Sequence, residues 1–320
     1  AGFPHVYAGT AHATDIGIGR LQAEALWGHL GESAYFDSVS TDNRRLFAGV
    51  VFALQPRVLD GLTLGFARAY QRTIPTAGLS LWHQFFDPYR SVGVNSGPGS
   101  GYEDDQLVSV FARWAFPASG FEAYLEYARE DHWHDLLDLA MEPDHSRAYT
   151  VGFQKIYTDL PGPGRRLRIA GEVTNLNASP TWESGRGGAI NFYTHGQIHQ
   201  GYTHDGQLLG APIGPGSDSW YLGVDVLGPA DRVLGVALER IRFDNDVYYQ
   251  RLAAQYGHRG HDLELTASVH GAMDVGGLQL VGELGYSHRW DRGFVGMLNG
   301  TNLPQDNNIS LTLGAAWRPR

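Results

Sequence analysis

The chain alternates apolar and polar residues over segments of about ten residues, which is the pattern of strands with one apolar face. The clearest example covers residues 106–116 and 121–130, where every second side chain is apolar in each segment. The sequence Pro117-Ala118-Ser119-Gly120 between them has the composition of a turn. These residues are therefore predicted to form a β-hairpin.

The same alternation predicts about thirteen strands along the chain. They cover approximately 3–12, 17–28, 47–54, 62–70, 106–116, 121–130, a strand with Tyr149, Val151 and Phe153, a strand with Leu167, Ile169 and Val173, 219–227, 232–241, 262–272, 278–288 and 307–317. From residue 13 onward the connections alternate between long and short. Short turns at one end and long loops at the other are typical of an outer-membrane barrel. We therefore predict an all-β fold, an antiparallel transmembrane β-barrel with long extracellular loops.

A water-soluble barrel or sandwich would also alternate, and two observations argue against it. The apolar residues that alternate along the clearest strands, Val108 to Phe116 and Phe121 to Tyr127, include no arginine or lysine, whose burial in lipid would cost about 2–4 kcal/mol at the midplane. A soluble sandwich also has no reason to keep its long loops at one end. Aromatic residues near strand ends further indicate girdles at the membrane interfaces: Trp27, Tyr70, Trp114, Phe116, Phe121, Trp220 and Trp317. An outer-membrane location, in contact with membrane lipids, follows.

The number of strands is odd, whereas bacterial single-chain barrels have an even number. The first strand also begins abruptly at the start of the sequence. We therefore expect residues 1–320 to be a single barrel domain that lacks its N-terminal strands.

Composition removes several classes of function. The formal charge of −10 is unsuitable for a nucleic-acid-binding protein, which needs a basic face. The chain has no cysteine, which excludes disulfides and thiolate zinc sites. Apolar runs stay well below the roughly 18 residues of a membrane helix.

One stretch, 193–219, has neither the alternation of a strand nor the periodicity of a helix. It is rich in His, Gln, Tyr and Gly. Long loops inside regular β structure are uncommon and usually functional. We therefore expect this stretch to be a loop that the barrel displays.

A second polar cluster comprises 129–135 and 142–147, also on the side of the long loops. His132 and His134 could share a metal ion with a neighbouring aspartate. They could equally hydrogen-bond to the loop backbone, and no metal-binding spacing such as HExxH occurs. The sequence also lacks a nucleophile motif such as Gly-x-Ser-x-Gly. We predict no metal, no cofactor and no enzymatic activity.

Glycan binding is a more natural use of these loops. Aromatic rings stack on sugars, and arginine makes bidentate contacts with the carboxylates of acidic sugars. The candidate rings are Trp82, Trp133, Tyr193, Tyr202 and Trp290, and the candidate arginines are Arg129, Arg147 and Arg186. For any single residue, packing within the loops is an alternative role. The predicted glycan-binding residues are Arg129, Asp131, His132, Trp133, His134, Arg147, Arg186, Tyr193, His195, His199, Tyr202 and His204.

Both clusters contain distinctive strings. The first has Tyr-Ala-Arg-Glu-Asp-His at 127–132 and Glu-Pro-Asp-His-Ser-Arg-Ala-Tyr-Thr at 142–150. The second has His-Gln-Gly-Tyr-Thr-His at 199–204 and Gly-Pro-Gly-Ser-Asp-Ser at 214–219. In these strings and in the strand rhythm around them, the sequence resembles the Wzi-type capsule assembly family.

The resemblance implies an outer-membrane barrel of eighteen strands, about five of them upstream of Ala1, with extracellular loops that plug the pore. It also implies a lectin that helps anchor capsular polysaccharide to the cell surface. The helical bundle of the family is not recognisable in this sequence.

Two functions are therefore carried forward. The first is a lectin-like surface barrel that binds and anchors capsular or exopolysaccharide, with other envelope proteins as further partners. The alternative is a porin-like channel for small solutes, which would conduct in planar bilayers. An outer-membrane hydrolase would need a nucleophile with a base in reach, and no such motif is present.

Overall fold

The computed structural model describes residues 2–90, 104–130, 136–180, 192–229, 231–257, 260–300 and 304–317. Its strands are β1 (His5–Gly9), β2 (Thr14–Asp15), β3 (Gly19–Gly31), β4 (Arg44–Pro56), β5 (Leu62–Thr73), β6 (Asp104–Phe116), β7 (Phe121–Glu130), β8 (Arg147–Thr158), β9 (Arg166–Asn175), β10 (Thr203–His204), β11 (Gln207–Leu208), β12 (Asp218–Leu227), β13 (Val233–Arg242), β14 (Leu263–Val275), β15 (Leu278–Trp290) and β16 (Gln305–Trp317).

Helices occur only in the connections of the described part of the chain. They are α1 (Leu81–Arg90), α2 (Leu136–Met141), α3 (Asn245–Val247), α4 (Ala253–Tyr256) and α5 (Val295–Asn299), and a π-helical turn (Tyr248–Leu252) joins α3 to α4. Two short 3₁₀ helices cover Pro117–Ser119 and Arg292–Phe294. Among the described residues, no helix has both the length and the apolar character needed to cross a membrane.

Thirteen strands follow one another in the order β1-β3-β4-β5-β6-β7-β8-β9-β12-β13-β14-β15-β16, while β2 pairs with β3. Neighbouring strands are joined by connections that are alternately short and long, as predicted. The shortest is Gly276-Gly277 between β14 and β15, where both glycines have positive φ. A two-residue hairpin turn of this kind matches the twist of the strands and requires residues that tolerate positive φ.

The predicted strands correspond to the observed ones, and the differences lie at their ends. β7 has the predicted bounds, and β4 is longer than the predicted 47–54. The prediction for 3–12 was too long, because only His5–Gly9 pairs with β3. The stretch 193–219 lies in the connection between β9 and β12 up to the start of β12 at Asp218, and it contains a small hairpin of β10 and β11 that the absence of alternation did not indicate. The single-domain prediction for 1–320 stays a prediction.

The described residues group into two compact units, and the first comprises Ala1–Ala112, Glu126–Tyr149 and Leu176–Pro215. In its strands β3 to β5, the outer face carries apolar side chains that are exposed, such as Phe52 and Phe66. The inner face carries buried polar side chains, such as Arg45 and Gln71. This is the polarity of a transmembrane barrel wall, which is apolar outside and polar inside.

The second unit comprises Arg113–Leu125, Thr150–Asn175 and Gly216–Arg320. Its outer face is apolar and exposed, most clearly at Leu311 and Leu313 of β16. On its inner face, Arg168 and His270 donate to the buried Asp225 across the strands, at 2.8 and 2.7 Å. A separate small core of four buried residues joins the loops of this unit: Tyr248, Ala253, Phe294 and Met297.

Two residues of the predicted girdles have a different environment. Tyr70 is only 2% exposed and packs with Leu46 and Ile74. Trp27 is half-buried, and its ring contacts two aromatic rings of α1. The prediction of a girdle position for these two was wrong, because a loop helix covers this part of the outer face. Trp114, Phe116, Trp220 and Trp317 are exposed, as a girdle requires.

Candidate functional site

The central loop, which we define as residues 192–215, packs on the inner face of β3 to β5 in the first unit. Arg45 of β4 fixes it there. Its guanidinium is completely buried and donates to the carbonyl of Gly201 and, at 2.7 Å, to that of Thr203. It also donates to Gln71 Oε1 at 3.0 Å and to the carbonyl of Gly31 at 3.3 Å. One cation therefore joins the loop to three neighbouring strands.

Tyr193 anchors the beginning of the central loop. Its backbone N–H donates to a carboxylate oxygen of Glu130 at the end of β7, and its carbonyl accepts from Tyr202 N–H at 3.1 Å. The hydroxyl accepts from Ala211 N–H at 3.2 Å. Burial raises the pKa of this hydroxyl above its ordinary value, although the Ala211 N–H partly offsets the effect. Tyr193 therefore stays neutral and holds both ends of the loop.

The β10–β11 hairpin lies within the central loop. Its turn is Asp205-Gly206, and both residues have positive φ. An Asp-Gly pair is a strong signal for such a two-residue turn, so this hairpin was detectable in the sequence. His204 is buried, and its Nδ1 accepts from Gly31 N–H at 2.9 Å. Nδ1 is then the unprotonated nitrogen of the neutral ring.

The predicted residues of the central loop therefore divide into two groups. Tyr202 and His204 are 1% and 7% exposed, so their rings belong to the packing of the loop. His199 is exposed, and its Nε2 lies 3.1 Å from the carbonyl of Gly196. His195 is partly exposed, and its Nδ1 accepts from two backbone N–H groups of the loop. Of these four residues, the two last-named histidines present side chains to solvent.

The second predicted cluster meets the central loop at Glu130, whereas its arginines contact a different loop. Arg129 shares a face of β7 with Leu125 and Tyr127, whereas Glu130 lies on the opposite face. The Arg129 guanidinium donates to the carbonyl of Pro143 at 3.1 Å and lies 3.0 Å from His145 Nε2.

Arg147 lies beside the same loop. It is 3.9 Å from Asp144, and its guanidinium stands 5.7 Å from the Tyr149 ring centroid. The strand thus presents its consecutive residues Arg129 and Glu130 to two different loops, and among the described residues Glu130 links the second cluster to the central loop through Tyr193 N–H.

Five predicted residues lie outside the described part of the chain: Asp131, His132, Trp133, His134 and Arg186. Among the described residues, Glu32, Asp37 and Asp42 bring carboxylate oxygens within 4.8 Å of one another. Acidic groups at a surface are often this close without an ion, and we assign no metal to them.

The loop between β3 and β4, residues 32–43, borders the hairpin turn of the central loop. Ser33 lies so close to Gly206 that a Cβ on the glycine would stand 3.2 Å from that of the serine. Two residues further on, Tyr35 is 98% exposed, and Phe36 is 46% exposed. These two aromatic residues are not among the predicted contacts, because a polar loop with two aromatic residues has no distinctive sequence pattern.

The apolar outer faces, the polar inner faces and the loops folded against them define an outer-membrane β-barrel. The capsule assembly protein Wzi family matches residues 16–292, and the chain belongs to this family. The predicted family, fold class and outer-membrane location are thereby confirmed. No curated protein matches the chain.

Among solved structures, the chain is similar to the Escherichia coli protein described as "Wzi, an outer membrane protein involved in group 1 capsule assembly" and as a carbohydrate-binding β-barrel. The two share 14% identity with a TM-score of 0.63, over 95% of this chain and 58% of that one. The chain thus spans 58% of the length of that structure. BamA from Haemophilus ducreyi, at 11% identity over 97% of this chain and 62% of that one, has a TM-score of 0.45.

Proposed function

We propose that this protein binds a capsular or exopolysaccharide at the cell surface and helps to anchor it, and that it does so without catalysis. The observation that carries the proposal is the family match over residues 16–292. The description of the Escherichia coli structure as carbohydrate-binding supports the same ligand class. Other envelope proteins are proposed as further partners.

The geometry of the central loop separates residues that position the loop from residues that can contact a ligand. Arg45, Tyr193, Tyr202 and His204 are engaged in holding the loop against the strands, so we assign them a positioning role. Contact with the glycan is assigned to the side chains that face solvent, His195 and His199. Loops held in this way lose little conformational entropy when a ligand binds, which favours affinity.

The exposed rings of Tyr35 and Phe36 supply the flat surface that sugar stacking requires. The loop that carries them places Ser33 next to Gly206, so a saccharide on these rings would be close to the polar groups of the hairpin. Residues outside the central loop remain proposed contacts: Asp131, His132, Trp133, His134, Arg186, Arg129 and Arg147.

The test is binding of the purified protein in nanodiscs to biotinylated polysaccharide of the producing organism, measured by biolayer interferometry. We expect the unmodified protein to be retained. We expect Tyr35→Ala to weaken binding by about fivefold, since one aromatic stacking contact contributes about 1 kcal/mol.

Tyr157→Ala is the matched control. Tyr157 is also an exposed tyrosine, 43% accessible, but it lies near the end of β8 that leads to a short turn. Its loss should leave the Kd unchanged. The proposal fails if neither acidic nor neutral polysaccharides are retained. Equal effects of the two tyrosine substitutions would remove Tyr35 from the site.

A further inference from the structure

The helix α1 lies on the outer face of the first unit, on the opposite side of the strands from the central loop. Its Phe85 and Tyr89 rings contact the ring of Trp27 in β3, with centroids 5.6 and 6.0 Å apart. Asp87 accepts from Arg72 Nη1 of β5 at 2.6 Å, and the carbonyl of Pro88 accepts from Arg68. Aromatic contacts and hydrogen bonds therefore fix this helix to the strands.

The strand register identifies the face to which α1 is fixed. Residues directly opposite each other in an antiparallel pair lie on the same face. Phe52 pairs with Phe66, and two steps along each strand this row continues through Val50 and Arg68. Because Phe52 and Phe66 are exposed apolar residues of the outer face, the helix continues the lipid-facing surface towards the long loops.

The side of α1 that faces away from the strands is also apolar. Leu81 is 72% exposed, Trp82 56% and Phe86 46%. Trp82 and Phe86 are four residues apart, and their ring centroids lie 4.2 Å from each other, so they form one aromatic surface.

Asp87 and His83 of α1 do not interrupt this surface. Asp87 is paired with Arg72, and His83 Nδ1 lies 3.0 Å from the same carboxylate. A paired carboxylate enters a medium of low dielectric constant at a much lower cost than a free one.

We propose that α1 is an interfacial helix, which inserts Leu81, Trp82 and Phe86 into the boundary between headgroups and acyl chains of the outer leaflet. The partner is the lipid surface itself. Continuity with the lipid-facing strands supports this partner, because the same bilayer that covers Phe52 and Phe66 extends towards the helix. Tryptophan and phenylalanine are residues that such helices use at this depth.

Site-directed spin labelling can test the inference, since the chain has no cysteine that would react elsewhere. Single nitroxide labels are placed at Phe86→Cys and, as a second site on the helix, at Leu81→Cys. The protein is reconstituted in liposomes, and collision rates with oxygen and with a water-soluble nickel chelate are measured. Oxygen concentrates in the bilayer, whereas the chelate stays in water.

Two further labels calibrate the measurement. Leu311→Cys reports the lipid-facing surface of β16, and Tyr35→Cys reports a loop exposed to water. We expect the oxygen-to-nickel ratio at Phe86→Cys and Leu81→Cys to be several-fold higher than at Tyr35→Cys and close to that at Leu311→Cys. Each variant is first checked for heat-modifiable gel mobility, which identifies folded barrels.

A ratio at both helix labels equal to that at Tyr35→Cys would place α1 in water and overturn the proposal. Shielding of both labels from oxygen and nickel alike would also overturn it, because the helix would then be covered by protein. No polysaccharide is present in this assay, so its outcome is independent of glycan binding.

Discussion

Replacement of Arg45 by methionine tests how the central loop is held. Methionine retains the length of the apolar stem and removes every donor. The carbonyls of Gly201, Thr203 and Gly31 and the side chain of Gln71 then lose a buried charged partner. The strand backbone of β4 keeps its hydrogen bonds, so we expect the effect to fall on the loop.

The size of the effect follows from the number of lost contacts. Hydrogen bonds to a charged group contribute about 1.5–3 kcal/mol each, so four contacts would sum to more than about 6 kcal/mol. Removal of a buried cation also removes its desolvation cost, and water can reach some of the acceptors. Disruption of buried charged contacts costs about 3–5 kcal/mol in practice. At about 3 kcal/mol, opening of the loop becomes roughly 100-fold more frequent.

Hydrogen–deuterium exchange of the reconstituted protein measures this opening. The N–H groups of Tyr202, Asp205 and Leu209 are bonded within the loop or to β3, and they should exchange roughly 100-fold faster in Arg45→Met. Exchange in β14 should not change. Arg57→Met is the control, because its ion pair with Asp15 is exposed to solvent and contributes little to stability.

The reasoning would be refuted by unchanged exchange at Tyr202, Asp205 and Leu209 in a variant that is folded. It would also be refuted if β14 lost protection to the same extent as the loop. Arg45 would in that case stabilise the barrel as a whole.

Two further predictions concern packing and pH. Gly65→Ala should lower the free energy of unfolding in urea by about 1–3 kcal/mol, because the added Cβ would overlap the ring of Phe111. Gly49→Ala is the control: its Cβ would have no contact closer than 3.6 Å, so the substitution should be nearly neutral. An equal effect of the two substitutions would contradict this. Burial lowers the pKa of His261, so the loop that carries it should be fully stable above about pH 6.5 and lose stability as the pH falls towards its folded-state pKa. The ring of Tyr248 stacks on His261, so hydrogen exchange of the Tyr248 amide, corrected for its intrinsic rate, should show this loss. In His261→Phe the pH dependence of the corrected exchange should disappear.

The strands were predictable because the two faces of a barrel wall differ in polarity at every residue. Their ends were less predictable. Arg45 lies in β4 but precedes the predicted start of this strand at residue 47. The prediction missed it because its partners are carbonyls of a distant loop, which the local sequence does not reveal. At such positions the alternation of apolar and polar residues no longer reports the strand.

The helix α1 and the separation of buried from exposed residues in the central loop show two different limits of prediction from sequence. The spacing of Trp82, Phe85, Phe86 and Tyr89 is helical, so α1 had a signal that nearby prolines and glycines obscured. The burial of Tyr202 and His204 had no signal in the local sequence. It depends on Arg45 and Gly31, which lie more than 150 residues earlier in the chain.

The arrangement at the end of β7 restricts how the length of this strand can vary within the family. Arg129 holds one connection on the exterior and its immediate neighbour Glu130 holds another in the interior. Gain or loss of a single residue in β7 would exchange the two charges between the sides, because side chains alternate with period two. The strand should therefore tolerate substitutions in its middle, while its length is fixed by the two loops as firmly as by the thickness of the bilayer.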